Sequence, residues 1–229
     1  MNGSSMSTAF PPKSVMSQGN KVPKLVWITP KADQVIAYCA RVSNPANQEN
    51  PDIDRLINYC VKNSHWSIFE MASACIEIET TRDIARQILR HRSFSFQEFS
   101  QRYADTIALP VAEMREARLQ DKKNRQNSIQ TTDKLLNEWW QSAQTHVVNI
   151  TDQYYQRALN LGIAKEQARA LLPEGLTTSR MYMSGSIRSW LHYIKVRNTP
   201  ETQKEHRLIA ESIANLLEEH IPITMKAFQ

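Results

Sequence analysis

A chain of 229 residues with 41% hydrophobic and 22% charged side chains can bury one sizeable core, which excludes wholesale disorder and makes a single domain the simplest organisation. The net charge of +5 admits an acidic partner, but 28 Lys and Arg are scattered among 23 Asp and Glu, a mixture suited to small anions and not to a long polyanion. No apolar run approaches the about 18 residues of a membrane span, the N-terminus lacks the blocks of a signal peptide, and three cysteines without CxxC or CxxH spacing indicate neither disulfides nor zinc, so a reducing, cytoplasmic setting is expected.

Residues 1–20, rich in Ser, Gly, Asn and Pro, read as a flexible leader to one domain over 21–229. Leu25 to Ile28 form a short strand closed by Pro30, and 31–42 look helical. After a polar loop from Asn44 to Pro51, residues 52–63 give a second helix with Ile53, Leu56 and Ile57 on its apolar side. A turn follows at His65-Trp66-Ser67. From Phe69 to Glu79 the pattern is two-fold, with Ala72, Ala74, Ile76 and Ile78 set against Ser73, Glu77 and Glu79, which fits a strand with one buried face. Residues 80–91 form a helix on which Arg86 and Arg90 share a face, and Gln87, three before Arg90, can converge with it on one ligand.

That helix leads into RHRSFSFQEFSQRY at 90–103, where three guanidinium groups fall within thirteen positions among serines, a glutamine, a glutamate and aromatics. The mixture suits a planar, multiply charged anion such as a nucleotide. On Arg90, His91 and Arg92 alone, a cap on a helix C-terminus or a solvated patch is the commoner reading; the spaced Ser100, Gln101, Arg102 and Tyr103 reverse it. Ser100 has no His-Asp pattern around it and reads as a phosphate-binding hydroxyl more than as a nucleophile. With five glycines and neither GxGxxG nor a P-loop, the phosphates of a dinucleotide must be held by Arg, Ser and His side chains.

Residues 110–132, including RLQDKKNRQNS at 118–128, form a polar surface excursion expected to touch a partner or substrate. A long amphipathic helix runs from Thr132 to Leu161 and stops at Gly162, another spans 164–172 before Pro173, and Thr177 to Met183 form a strand. In the helix Ser186 to Arg197, Arg188, His192 and Lys195 make one polar face, and Arg197 lies about half a turn from Arg188, which permits ligands on two sides. Pro200 opens a final helix reaching His220. There is no internal repeat and no βαβ alternation, so the expected class is α+β, a central sheet with flanking helices and a long helical segment.

The run RHR, seven residues, Ser, then Gln-Arg-Tyr resembles the signature of the flavin-dependent thymidylate synthases, the thymidylate synthase complementing family. The resemblance covers about residues 24–222, dense at 40–43, 65–70, 86–103 and 169–205, and thin from 104 to 165. It implies the fold of that family and conversion of dUMP to dTMP, with methylenetetrahydrofolate as carbon donor, NADPH as reductant, FAD as carrier, and a homotetramer with active sites at subunit interfaces. Carried over position by position, it places dUMP on Gln87, Arg90, Glu98, Ser100, Gln101, Arg102, Arg169 and Arg197. Catalysis is assigned to Arg197, through a uracil carbonyl, and to Ser100. It places FAD on Ser43, His65, Ser67, Glu70, Arg90, His91, Arg92, Ser93, Ser186, Arg188 and His192, with no metal. Arg90, Arg102 and Arg169 fix the phosphate end.

The chain departs from the family where members often have Asn in place of Ser186 and His192, and where some have a flavin-contacting His in place of Glu201; Gln203 and Glu205 keep the pattern that follows. Without the resemblance, His65 reads as a turn histidine packed beside Trp66. Cys39 and Cys75 fall on core faces, so no catalytic cysteine is expected. Two rivals stand beside this reading: a basic single-stranded nucleic-acid-binding module, in which Phe94, Phe96, Phe99 and Tyr103 stack bases, and a catalytically silent relative that binds flavin or nucleotide.

Overall fold

The computed structural model describes residues 22–104 and 114–229; the leader expected over 1–20 lies outside them. Its first sheet has the strand order β1 (Lys24–Ile28), β2 (Ser73–Thr81), β6 (Thr178–Ser186), β3 (Ser95–Glu98), and every neighbouring pair is antiparallel. β2 and β6 pair along their whole length, Ser73 opposite Ser186 and Thr81 opposite Thr178. Alternation decides the faces: Ala74, Ile76, Ile78, Met181 and Met183 are fully buried. On the opposite face Glu79 is paired with Arg180 across the strands, and Tyr182 donates its hydroxyl to Glu77 at 2.9 Å.

The buried face is covered by α1 (Ala32–Ala40), α2 (Asp54–Lys62), α6 (Ile187–Arg197), α7 (Lys204–His220) and α8 (Pro222–Phe228), whose Ile36, Ile57, Trp190, Ile213, Leu217 and Met225 complete the core. α8 has no sequence expectation behind it. Its first turn is capped from a distance: the Asp33 carboxylate of α1 accepts from the backbone amides of Ile223 at 3.0 Å and Thr224 at 3.2 Å, which satisfies orphan donors that would otherwise be buried.

Several expected boundaries move. The strand expected from Phe69 begins at Ser73, because Trp66–Glu70 wind into a 3-10 turn that buries Phe69. The helix expected over 80–91 is α3, Arg82–Ile88, so Arg90 lies beyond its end and does not share a helical face with Arg86, whose guanidinium is paired with Glu174. The polar excursion carries a hairpin, β4 (Arg118–Gln120) with β5 (Ser128–Gln130). Arg118 there is no solvated cation: its side chain is 11% exposed and bound to Glu205 at 2.5 Å. The segment 164–172 divides into α5 (Lys165–Ala168) and a 3-10 turn, Arg169–Leu171. Pro200 sits in the turn before α7, where its carbonyl accepts from Arg207 at 3.4 Å, and the helix starts four residues later.

The long helix is α4, Lys134–Asn160, 27 residues and so about 40 Å in length. Asp133 caps it by accepting from the amide of Leu136 at 3.1 Å, and Gly162 ends it at φ +83, with the amide of Ile163 returning to the carbonyl of Ala158 at 3.0 Å. α4 buries Gln144, Tyr155 and Ala158, yet Leu135, Trp139, Ile150 and Tyr154 remain exposed.

Candidate active site

Beyond α3 the chain turns through Arg90–Ser93 and enters β3 along β6. Phe94 anchors this turn. Its ring meets Trp190 edge to face at 4.7 Å and lies on Gly185, where a Cβ would stand 2.5 Å from the ring. Glycine is needed at 185 because of this close approach. Trp190 is fully buried and donates its indole N–H to the carbonyl of Ala74 at 3.2 Å. Ser186 caps α6 by accepting from the amide of Ser189 at 3.3 Å, and the Ser189 hydroxyl donates to the carbonyl of Ser93 at 3.3 Å. Ser93 and Ser186, expected to share a ligand, are thus tied to one helix start.

His91 and Arg197, 106 residues apart, also meet: the Arg197 Nε–H donates to His91 Nε2 at 2.8 Å. Burial, with the nearby charges of Arg197 and His192, pushes the His91 pKa down to about 4, so the ring is neutral at neutral pH and Nε2 is the bare nitrogen. Tyr193 packs against the His91 ring at 5.0 Å. Behind it lies His206, fully buried, whose Nε2 is 3.1 Å from the Tyr193 hydroxyl and whose Nδ1 is 3.2 Å from Gln87 Oε1. Burial, then Arg197 and His91, lowers the His206 pKa to about 3. Gln87 donates to Gln203 at 2.8 Å, and Gln203 to Glu205 at 3.0 Å. Gln87 is therefore tied to α7. Among the described residues its hydrogen bonds go to Gln203 and His206 and not to Arg90, whose side chain is exposed.

A second group gathers at the other end of β3. Glu98 accepts from the Ser179 hydroxyl at 2.7 Å and lies 3.8 Å from Arg82. Arg102 is 3.4 Å from the Glu166 carboxylate, and Arg169 donates to the Glu166 carbonyl at 3.2 Å, so two arginines expected at one phosphate flank one residue. Ser100 accepts from the amide of Arg102 at 3.4 Å. Gln101 is 3% exposed, and its Nε2 has no hydrogen-bond partner among the described residues. β3 pairs Ser95 with Ser184 and Glu98 with Met181, so this group and the Ser93–Ser186 group lie toward opposite ends of the pairing. The strand between them, Ser95–Glu98, is about 10 Å of extended chain.

Of the residues expected at the flavin, Glu70 and Arg188 form an ion pair at 3.1 Å. Ser43 lines a cleft of 510 Å³ with Tyr59, Asn47 and Arg55. His65 meets Tyr59 edge to face at 5.6 Å. Buried Arg41 holds the rim of this cleft, donating to the carbonyls of Asn50 and Asp52 at 2.5 Å each. Ser67, Arg92 and His192 present exposed side chains. Amide, hydroxyl and guanidinium groups line the cleft together with the Asp52 carboxylate and the apolar Ala40 and Leu56, and the donors among them suit the sugar and phosphate oxygens of a dinucleotide cofactor. No group of three or more His, Cys, Asp or Glu among the described residues is arranged to hold a metal.

A family model described as "Thymidylate synthase complementing protein" matches residues 24–223. The chain belongs to this family. Its relatives include a flavin-dependent thymidylate synthase of Synechocystis sp., 51% identical over 195 residues, which cover 85% of this chain and 88% of the relative. A probable flavin-dependent thymidylate synthase of Paramecium bursaria Chlorella virus 1 is 46% identical over 197 residues, covering 86% and 90%. Among solved structures, a UMP/dUMP methylase, PolB, from Streptomyces cacaoi, bound with 5-Br dUMP, superposes with a TM-score of 0.77 at 28% identity, covering 90% of this chain and 93% of that one. The expected α+β class and the thymidylate synthase complementing fold hold.

Sequence reading gave no sign of the parts played by His206, Tyr193, Ser179, Arg82, Glu166 and Arg41. Only the phase of α7 carries a hint, since Gln203 and His206 are three apart and face one neighbour.

Proposed function

We propose that the chain methylates dUMP to dTMP, with the carbon drawn from methylenetetrahydrofolate and the reducing equivalents from NADPH through bound FAD. The observation that carries this reading is the meeting of Arg197 with His91, which brings the signature turn and the far end of α6 to one place. When bound, the flavin supplies the redox chemistry. The residues of this chain supply position and charge. Arg197 is held at Nε by a neutral histidine, which aims its two amino groups away from His91 and leaves them for a uracil carbonyl as electron density moves onto the ring. Gln87 takes the nucleotide from the same side. Ser100, Arg102 and Arg169 hold the phosphate, with Arg90 reaching in from the turn.

The reading includes a second copy at the site: the Arg197 and Arg102 groups lie toward opposite ends of β3, and a neighbouring chain would bring its own arginines between them. A homotetramer with shared sites accounts for the exposed Trp27 on the outer sheet and the exposed Leu135, Trp139 and Tyr154 on α4. No helix among the described residues is long and apolar enough to cross a membrane.

The direct test is dUMP-dependent oxidation of NADPH with folate present and absent, on protein that purifies yellow. Arg90→Ala is expected to raise the KM for dUMP with flavin still bound; unchanged nucleotide affinity removes Arg90 from the site. A colourless protein that releases RNA or DNA steeply with salt would replace this reading with that of a nucleic-acid module.

A further inference from the structure

Gln87 offers the nucleotide a carboxamide, and a carboxamide can present its oxygen or its nitrogen to a ligand according to which way it is turned. In this fold the turn is held from two sides, by a hydrogen-bonded chain that starts at Glu205 and by His206. Burial, the largest single influence, works to raise the Glu205 pKa, but the hydrogen bond and charge of Arg118, a backbone amide and Gln203 together outweigh it and lower the pKa, so the group stays ionised and can only accept. Gln203 therefore directs its Nε2 at Glu205, which turns its Oε1 toward Gln87. Gln87 must then give its Nε2–H to Gln203, which leaves Gln87 Oε1 facing His206 Nδ1. An oxygen accepts, so Nδ1 carries the ring proton and Nε2 is bare for the hydroxyl of Tyr193. Burial raises the pKa of that phenol well above its usual value, so it keeps the proton it donates.

We propose that His206, pinned by Tyr193, is a positioning residue that locks the Gln87 carboxamide in one orientation, with one N–H and one oxygen lone pair left for the nucleotide. The proposal rests on the reading of Gln87 as a nucleotide contact and assigns that contact its support. A buried polar pair used in this way has a function beyond packing, since an apolar pair of similar size would fill the same space without fixing the amide. Both ring nitrogens have distinct tasks, and only the Nδ1 side touches the ligand-bearing amide.

The test uses that asymmetry on the flavin-loaded, full-length protein. His206→Asn keeps a donor in the place of Nδ1–H and is expected to keep the KM for dUMP within about twofold, whereas His206→Leu, which donates nothing, is expected to raise it roughly five- to tenfold, the loss of one buried hydrogen bond. Tyr193→Phe removes only the hydroxyl that pins the ring through Nε2 and is expected to fall between them. It stands in for His206→Leu should that variant fail to fold. Flavin content and melting temperature are read alongside. If KM simply follows melting temperature across the set, or if the Asn and Leu variants weaken dUMP equally, His206 is a packing residue and the proposal is overturned. Gln87→Ala separates the two layers: no change in dUMP affinity there removes Gln87 from the nucleotide and the proposal with it, while a loss there with silent His206 variants overturns the positioning alone.

Discussion

Arg197 and His91 stand in a fixed donor and acceptor relation: the guanidinium gives its Nε–H at 2.8 Å to an imidazole that burial keeps neutral. The histidine orients the arginine without competing with it for charge. Arg197→Lys keeps the charge but has no planar fork, so it cannot bond His91 and present donors to a uracil carbonyl together. We expect kcat to fall about a hundredfold or more with flavin retained and the melting temperature little changed. Full turnover in the lysine variant would show that charge alone suffices there.

The same histidines set an acid limit. His91 and His206 have pKa values lowered to about 4 and about 3, below the value near 6.5 of an unfolded chain, so the unfolded state binds more protons as pH falls. The folded state keeps its full stability above about pH 6.5 and loses it progressively as pH drops toward 4 and below. Urea midpoints at pH 8, 6 and 5 should decline in that order, and His206→Asn should remove about one proton from the slope. A midpoint that rises on acidification would contradict the burial of these rings. His91 should leave no bend in kcat/KM between pH 6 and 8.

Gly185 is the seat of Phe94, and a Cβ there would stand 2.5 Å from the ring. Gly185→Ala is expected to cost about 1–3 kcal/mol in stability and, by tilting Phe94, to displace the turn that carries His91 and Ser93. Weaker flavin retention should accompany the lower melting temperature. An alanine variant with both properties unchanged would mean that the aromatic cluster yields more easily than its packing implies.

The proposed sharing of the site between chains can be tested with mixed variants. Arg102→Ala and Arg197→Ala should each be nearly inactive alone, yet after mixed refolding about a quarter of the sites draw both arginines from intact ends, and activity returns to that extent. Sites built within single chains would give no recovery.

No thiol takes part in the chemistry proposed. Cys60 and Cys75 are buried, and burial raises both thiols above their ordinary pKa, which disfavours the nucleophilic thiolate; Cys39 is half-buried. The triple variant Cys39→Ser, Cys60→Ala, Cys75→Ala should retain most turnover at some loss of stability. Abolished activity in a folded, flavin-loaded triple variant would refute this.

The two-fold pattern of β2, the stop at Gly162 and the opening of a helix near Ser186 were legible because each is a local rule read over a few residues. The end of α3 was not. Leu89 and Arg90 continue a helical pattern, and what ends it is tertiary: the burial of Phe94 on Gly185 pulls the chain toward β6. Arg118 and the hairpin around it looked like a solvated run, since nothing local announces a carboxylate supplied by Glu205 from α7. His206 was invisible for the same reason. Its partners, Tyr193 and Gln87, lie 13 and 119 residues away, and only the packing of three helices brings them within reach.

α4, some 40 Å of helix, carries Leu135, Trp139 and Tyr154 into water. On the shared-site proposal, company is a structural ingredient of this chain: crowding by its own kind would replace the second layer that other helices find within their own fold. Scarcity would disarm it as thoroughly as the loss of an arginine.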